Sequence, residues 1–363
     1  FIATAKNALK AGKQNSETGE QNKNKHPRID EIKDFLSSRY LFRYNEVLDI
    51  IEWRLSYGTE WNNMTDIDQN RILASISRKF GKFNEKQARW LLEGELLDVY
   101  NPFKEFFANL QPWDGETDYI RLLSNTVTVE VGQEDMWHLF FRRWLMSMVR
   151  QALQISPTGN KTIPSQNCLV LHGKQGYGKS TWLLNLVMVD GPKYRFSGFF
   201  DTRNKDCMMH LSRTSLVNLD EIENTTTKND WAALKSLLRS SEQNMRMPYR
   251  RNNQIYPRRC SFSGNINSEA FLSDLTGSRR FLIVTVSSIT HPSRDLIEKA
   301  FAHAYALLLR GEKYWFDQAE NIIIDKHNER YTKTSVEEDL LNLYCENPED
   351  ENDPDGVWLP ALA

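Results

Sequence analysis

Apolar residues recur at intervals of three and four in two stretches of the first third of the chain. Ile32, Phe35 and Leu36 form one and Ile72, Leu73, Ile76 and Phe80 the other, the spacing of amphipathic helices. From Glu134 to Leu153 the same period puts Trp137, Phe140, Phe141, Trp144, Leu145, Met148 and Val149 on one stripe, away from Arg142, Arg143 and Arg150. That stretch predicts a long packing helix. Further on the pattern changes to a short unbroken apolar run, Cys168-Leu169-Val170-Leu171, followed by the strand candidates Ser215-Leu216-Val217-Asn218-Leu219, Cys260-Ser261-Phe262-Ser263 and Phe281-Leu282-Ile283-Val284-Thr285-Val286. Such runs read as strands buried on both faces. Alternating with helical segments, the last from Leu296 to Leu309, they predict an α/β fold built on a parallel sheet.

Four regions follow. Residues 1–29 are polar and basic, with Lys6, Lys10, Lys13, Lys23 and Lys25, and read as a disordered leader or linker. Residues 30–130 read as a mainly helical module whose core is dense in aromatics, Trp53, Trp61, Trp90, Tyr100, Phe103, Phe106, Phe107 and Trp113 among them. Asn101-Pro102 and Gln111-Pro112-Trp113-Asp114-Gly115 supply turns there. Residues 131–325 hold the α/β core, and 326–363 form an acidic tail. The chain opens on Phe1 with neither Met nor a signal-peptide pattern, so flanking domains in a longer protein are expected.

Composition narrows the class. In 363 residues, 40% hydrophobic and 26% charged, there is material for a buried core, which excludes wholesale disorder and a small disulfide scaffold. Lys and Arg number 46 against 48 Asp and Glu, a net charge of −2, so any nucleic-acid surface must be a local patch. No apolar run approaches the roughly 18 residues of a membrane-spanning helix. Cys168, Cys207, Cys260 and Cys345 lack C-x-x-C spacing, which argues against a zinc site and for reduced thiols in a cytosol.

The chemistry is concentrated after the first strand. Gly173-Lys174-Gln175-Gly176-Tyr177-Gly178-Lys179-Ser180 fits G-x-x-x-x-G-K-[ST] between an apolar strand and a helical run beginning at Thr181. Backbone N–H groups of Gly173, Gly176, Tyr177, Gly178 and Thr181 are expected to cradle the phosphates of ATP. Lys179 would reach the β and γ phosphates, and the Ser180 hydroxyl would ligate Mg2+. Leu216-Val217-Asn218-Leu219-Asp220-Glu221, an apolar strand ending in two carboxylates, supplies Asp220 for the metal and Glu221 to orient and deprotonate the attacking water. After the next strand, Asn267 is expected to sense the γ phosphate, with Asn265 in reserve. Gly277-Ser278-Arg279-Arg280 presents two guanidinium groups that could stabilise transition-state charge on a neighbouring subunit's nucleotide.

Five arginines and no acid lie between Arg246 and Arg259. Arg250-Arg251-Asn252-Asn253 form the expected tip of a hairpin flanked by Tyr249 and Tyr256, and Arg246, Tyr249, Arg250, Arg251 and Asn252 are its candidate DNA contacts, suited to a phosphate backbone with partial base stacking. The nucleotide motifs from Gly173 to Asn267 leave room for a single nucleotide core, so a polymer-moving ATPase of this kind needs a second subunit's wall and arginine, which implies a ring.

With these residues in place, the chain resembles the virulence-associated protein E family of phages and mobile elements, over roughly residues 100 to 320. The resemblance rests on Trp113-Asp114-Gly115, the phosphate loop through Thr181, Leu219-Asp220-Glu221, Pro248-Tyr249-Arg250-Arg251 and Gly277-Ser278-Arg279-Arg280-Phe281. It implies an AAA+ ATPase core similar to superfamily 3 helicases, assembled as a hexameric ring and often fused to an N-terminal primase. No primase motif is visible here. Where the family usually shows Gly-Thr-Thr-Asn, this chain has Gly264-Asn265-Ile266-Asn267 and keeps the final Asn. The expected function is Mg2+-dependent ATP hydrolysis that drives translocation on single-stranded DNA and unwinding of forked DNA during replication. Two other readings stay open on the residues alone: an NTPase switch that remodels protein partners in signalling or defence, and a replication-initiation scaffold assembled by ATP.

Overall fold

The computed structural model describes residues 27–155, 165–189, 191–220, 222, 228–245, 252–268, 272 and 277–332. The chain divides into two compact units, Phe1–Ala108 and Asn109–Ala363.

In the first unit, helix α1 (Ile29–Arg39) buries Ile32, Phe35 and Leu36, as their spacing predicts. Helix α2 (Asp66–Phe80) starts at Thr65, whose hydroxyl accepts the Asp68 N–H, and ends at Gly81, whose φ of 74° only glycine adopts readily. Helices α3 (Glu85–Trp90) and α4 (Pro102–Asn109) follow. Strands β1 (Tyr40–Asn45), β2 (Ile50–Leu55), β3 (Asn62–Asn63) and β4 (Leu97–Tyr100) form a sheet in the order β3-β2-β1-β4, so the helical module of the sequence reading also contains a sheet. Its period-two signal is blurred because both faces carry aromatic contacts. Phe42 pairs opposite Trp53 over the core. On the other face Arg43 lies 4.1 Å from the Trp61 ring and 3.5 Å from the Tyr100 ring, while its Nε donates to Glu52 at 2.7 Å.

The second unit begins earlier than residue 131. Helix α5 (Tyr119–Ser124) and strand β5 (Val127–Val129) belong to it, β5 pairing antiparallel with β12 (Phe281–Ile289). Strands β6 (Cys168–His172), β7 (Arg195–Gly198), β8 (Leu216–Asp220) and β11 (Ser261–Ile266) complete a six-stranded sheet in the order β5-β12-β6-β11-β8-β7. Every pair from β12 to β7 is parallel. Every residue of β6 and β11 is buried, which explains the unbroken apolar run of β6, whereas β11 buries the polar Ser261, Ser263 and Asn265 among its six residues. Helix α6 (Glu134–Leu153) spans the predicted interval, and its Trp144 indole donates to the Phe262 carbonyl at 2.8 Å. Helices α7 (Lys179–Asn185), α8 (Lys205–Arg213), α9 (Lys228–Arg239), α10 (Arg294–Leu309) and α11 (Gln318–Asn328) fill the connections. Between α9 and β11 stands a separate hairpin, β9 (Glu242–Met245) with β10 (Gln254–Pro257).

The acidic tail starts later than residue 326. Helix α11 runs through that point, Tyr331 is fully buried, and Thr332 bridges to Leu272. Residues 333–363, and 1–26 of the leader, lie outside the described residues. Cys168 and Cys260 are buried core residues whose thiols burial pushes up, Cys260 to about 12. Among the described residues no helix is long and apolar enough to cross a membrane.

Candidate functional site

The loop between β6 and α7 follows from its glycines. Gly173, Gly176 and Gly178 have φ of 153°, 90° and 80°. A Cβ on Gly173 would stand 2.9 Å from the Val286 carbonyl, and one on Gly178 3.1 Å from Nε2 of His291. The loop is thus closed from outside by β12 and the turn after it. On its inner side lies a cavity of about 530 Å³ lined by Gln175, Gly176, Tyr177, Gly178, Lys179, Ser180, Thr181, Asp220, Asn265 and Asn267. Gly173 does not line it; this residue is the hinge between strand and loop.

Lys179 is 4% exposed, and three neutral oxygens hold its ammonium: the carbonyls of Gly173 at 2.5 Å and Lys174 at 3.0 Å, and Oδ1 of Asn267 at 3.1 Å. Asp220, at the end of β8, is fixed by a polar row across three strands. Its carboxylate accepts from Ser197 Oγ at 2.6 Å and Asn218 Nδ2 at 2.7 Å. Asn218 also donates to Ser197 Oγ at 3.1 Å and accepts from Ser263 Oγ at 3.0 Å. Sequence reasoning missed Ser197, Asn218 and Ser263. Their signal is a polar residue at one register level in neighbouring strands, legible only once Ser197 and Ser263 are known to flank Asn218. The two amides of the sequence reading both reach the cavity and differ: Asn267 engages Lys179, whereas Asn265 has a buried Oδ1 without a hydrogen-bond partner.

Arg279 and Arg280 do not join this cavity. They sit in a 3-10 turn, Ser278–Arg280, directly before β12. Phe281 pairs with Cys168, the first residue of β6, whereas the glycine loop follows the last, His172. The turn is therefore at the opposite edge of the sheet, a five-residue strand or roughly 16 Å away. Asp325 of α11 holds it by accepting from Ser278 Oγ at 2.5 Å and from the Arg279 N–H at 2.8 Å. Arg280 donates to the Gly277 carbonyl at 3.2 Å, and burial, then the charges of Arg239 and Arg279, lower its pKa. A second cavity of about 110 Å³ adjoins both arginines, with Ser165, Asn167 and Trp315 on its walls.

Glu221, Arg246, Tyr249, Arg250 and Arg251 lie outside the described residues. Asn252 is described and exposed, and the strands expected to flank the tip are present, Met245 pairing with Gln254. Two of the five arginines in this stretch are not on the tip: Arg258 is fully buried and Arg259 half-buried, because the chain has already returned to the core there. Trp113-Asp114-Gly115 is a structural turn. Asp114 accepts the N–H groups of Glu116 and Thr117, and a bond from the Thr117 side chain, followed by these two, holds its carboxyl far below the usual range. Trp113 stacks on His303 of α10, ring centroids 4.1 Å apart.

The molecule is thus a mixed α/β protein with a mostly parallel six-stranded sheet, and at the sheet's carboxyl edge a glycine-rich loop bounds a cavity with a lysine, a serine and a strand-end aspartate on its walls. The Virulence-associated protein E-like domain matches residues 108–333, more than half of the chain, and the chain belongs to that family. A search of the curated proteins finds no match. Among solved structures, the apo structure of the NrS-1 C terminal region (305–718) aligns with a TM-score of 0.50 at 15% identity, covering 86% of this chain and 76% of that one. The A form apo structure of the same region aligns with a TM-score of 0.47 at 14% identity over the same shares. The first likeness is one of fold.

Proposed function

We propose that this chain is a Mg2+-dependent ATPase that works as a ring on single-stranded DNA and separates duplex during replication of a phage or mobile element. The observation that carries the reading is the convergence of Lys179, Ser180, Asp220, Asn265 and Asn267 on one cavity beside the glycine loop. The donor set fits a metal–triphosphate. Lys179 donates to exchangeable carbonyl and amide oxygens in the bonds described above, and Asn265 brings a buried oxygen that lacks a partner. Among the described residues no group of three or more His, Cys, Asp or Glu could hold a metal unaided. Ser180 and Asp220 therefore suit a magnesium that keeps waters and phosphate oxygens as its other ligands.

In this mechanism the loop N–H groups bind the phosphates and Lys179 exchanges its carbonyl contacts for the β and γ oxygens. Bound Mg2+ would neutralise the charge that builds between those phosphates. Asn218 and Ser197 keep Asp220 aimed at the metal, Asn267 follows Lys179 as the γ phosphate is lost, and Glu221 orients and deprotonates the water. Arg279 and Arg280, too far from their own subunit's cavity, act on the next subunit's nucleotide, which calls for a closed ring; six subunits and an attached primase are what the family resemblance adds. The β9–β10 hairpin carries Tyr249, Arg250, Arg251 and Asn252 to the DNA, with Arg246 at its root.

ATP hydrolysis with and without single-stranded DNA, followed by strand displacement on a forked duplex, tests the reading. DNA-stimulated turnover and displacement are expected, with stimulation but not basal turnover lost in Arg250→Ala with Arg251→Ala. Turnover indifferent to DNA in the wild type would favour a switch acting on protein partners, and ATP-driven assembly without displacement a scaffold.

A further inference from the structure

Arg258 follows β10, the return strand of the hairpin, and is 0% exposed; Arg150 of α6 beside it is 2% exposed. Among the described residues no carboxylate pairs with either; the groups that act on Arg258 besides burial are the Cys260 thiol and the like charge of Arg150. Burial pulls the Arg258 guanidinium down to about 10, which leaves it protonated at neutral pH. Its Nη2 donates to the Ser165 carbonyl, the Phe262 ring lies 5.4 Å away, and Nε and Nη1 have no hydrogen-bond partner. A buried cation without a counter-charge and with two idle donors is costly, so stability does not explain its presence.

Its connections do. The Arg258 N–H closes the base of the hairpin on the Ser241 carbonyl at 2.9 Å, and its own carbonyl accepts from Gln151 and, at 2.9 Å, from Gln154. Arg259 adds a bond to the Ala152 carbonyl at 3.1 Å. The hairpin base is thereby bolted to the end of α6. In the other direction, Ser165 begins the short segment that leads into β6, and within it Asn167 donates to the Arg279 carbonyl at 3.1 Å. Ser165, Asn167, Arg279 and Arg280 wall the same small cavity. A contiguous path thus runs from hairpin base through one guanidinium to the arginine turn.

We infer that Arg258 is a positioning residue that carries displacement of the β9–β10 hairpin to the Arg279–Arg280 turn, so that DNA on the hairpin sets the placement of the arginines offered to the next subunit. The inference rests on the proposed roles of hairpin and turn. The idle Nε and Nη1 donors give the planar group a second way to hold a carbonyl when the hairpin shifts, which a lysine cannot offer.

The test uses the full chain with ATP and an oligothymidine strand, reading basal turnover, DNA-stimulated turnover and DNA affinity in Arg258→Met, Arg258→Lys and Asn167→Ala. Arg258→Met and Asn167→Ala are expected to keep ATP and DNA affinity within about twofold while the stimulation ratio falls at least about fivefold. The pair combined is expected to be no worse than either alone, and Arg258→Lys to restore little. Stimulation unchanged in both single variants overturns the inference, as does DNA affinity falling in step with stimulation, which would make Arg258 a prop for the hairpin only. If thermal unfolding shows Arg258→Met to be misfolded, the half-exposed Asn167 decides. A wild type that DNA does not stimulate sinks the reading of the hairpin itself, a result distinct from stimulated variants.

Discussion

At the carboxyl edge of the six-stranded sheet, Lys179 rests on carbonyl and amide oxygens, and Asp220 is braced by Ser197 and Asn218. At the amino edge, Arg279 and Arg280 cluster on a turn tied to the sheet's flank by Asp325, with Arg258 buried behind them. The first edge brings one cation and one carboxylate to a cavity large enough for a triphosphate. The second gathers guanidinium groups around a cavity of about 110 Å³, too small for one. Among the described residues the cationic edge is tied down by the single carboxylate of Asp325 and walls no cavity of triphosphate size, which is why the proposed function sets it against the nucleotide of a neighbouring copy.

The hardest test of this contrast removes the cation of the first edge. Lys179→Ala is expected to lower ATP turnover by at least about a hundredfold with the fold intact, measured by steady-state hydrolysis and circular dichroism. Residual turnover near wild type would dissolve the distinction. Asn218→Leu leaves Asp220 in place and removes its brace, so the magnesium concentration for half-maximal activity is expected to rise about tenfold.

The amino edge answers to a different variant. Asp325→Ala frees the Ser278 hydroxyl and the Arg279 N–H, and is expected to cut turnover of the assembled protein about tenfold while nucleotide affinity, read by titration calorimetry, stays unchanged. If affinity falls instead, the two edges are not separate. Gly264 lies midway along β11, and a Cβ there would stand 2.1 Å from Cδ1 of Ile222. Gly264→Ala is expected to cost about 1–3 kcal/mol in urea unfolding without moving either edge's chemistry selectively. The smallest effect concerns acid. Glu320, bonded to Arg143 and Lys313, has its pKa lowered to about 2, chiefly through Arg143. Its contribution is present above the unfolded value near 4.5 and is lost as pH falls toward 2, so Glu320→Gln is expected to flatten the stability profile only in that window.

Legibility followed the same division. The glycine loop, the strand-end Asp220 and both asparagines could be read because their chemistry is local: each motif lies within a few residues of a strand end. The Trp-rich stripe of α6 was equally plain, since burial on one face forces a period of 3.6. What escaped depended on pairing. Ser197, Asn218 and Ser263 acquire meaning only as neighbours across strands, and the sheet of the first unit hides its alternation behind Arg43 stacked between Trp61 and Tyr100. Arg258 was read with the basic tip because composition counts charges and cannot tell a returning strand from an exposed turn. Asp325, 45 residues or more beyond the arginines it holds, left no signal near them.

Strand β12 touches both ends of this story. Its nine residues begin at the arginine turn and finish beside the phosphate loop, which Val286 and, just beyond the strand, His291 close from outside. At ~3.3 Å per residue it extends about 30 Å, paired with β6 over Phe281–Thr285 and with β5 beyond, where the register shifts between Val286 and Ser288. If the copies assemble as proposed above, this one strand would join the loop that holds a subunit's own nucleotide to the arginines it offers the next, and the bulge at its loop end would be the place where that link can flex.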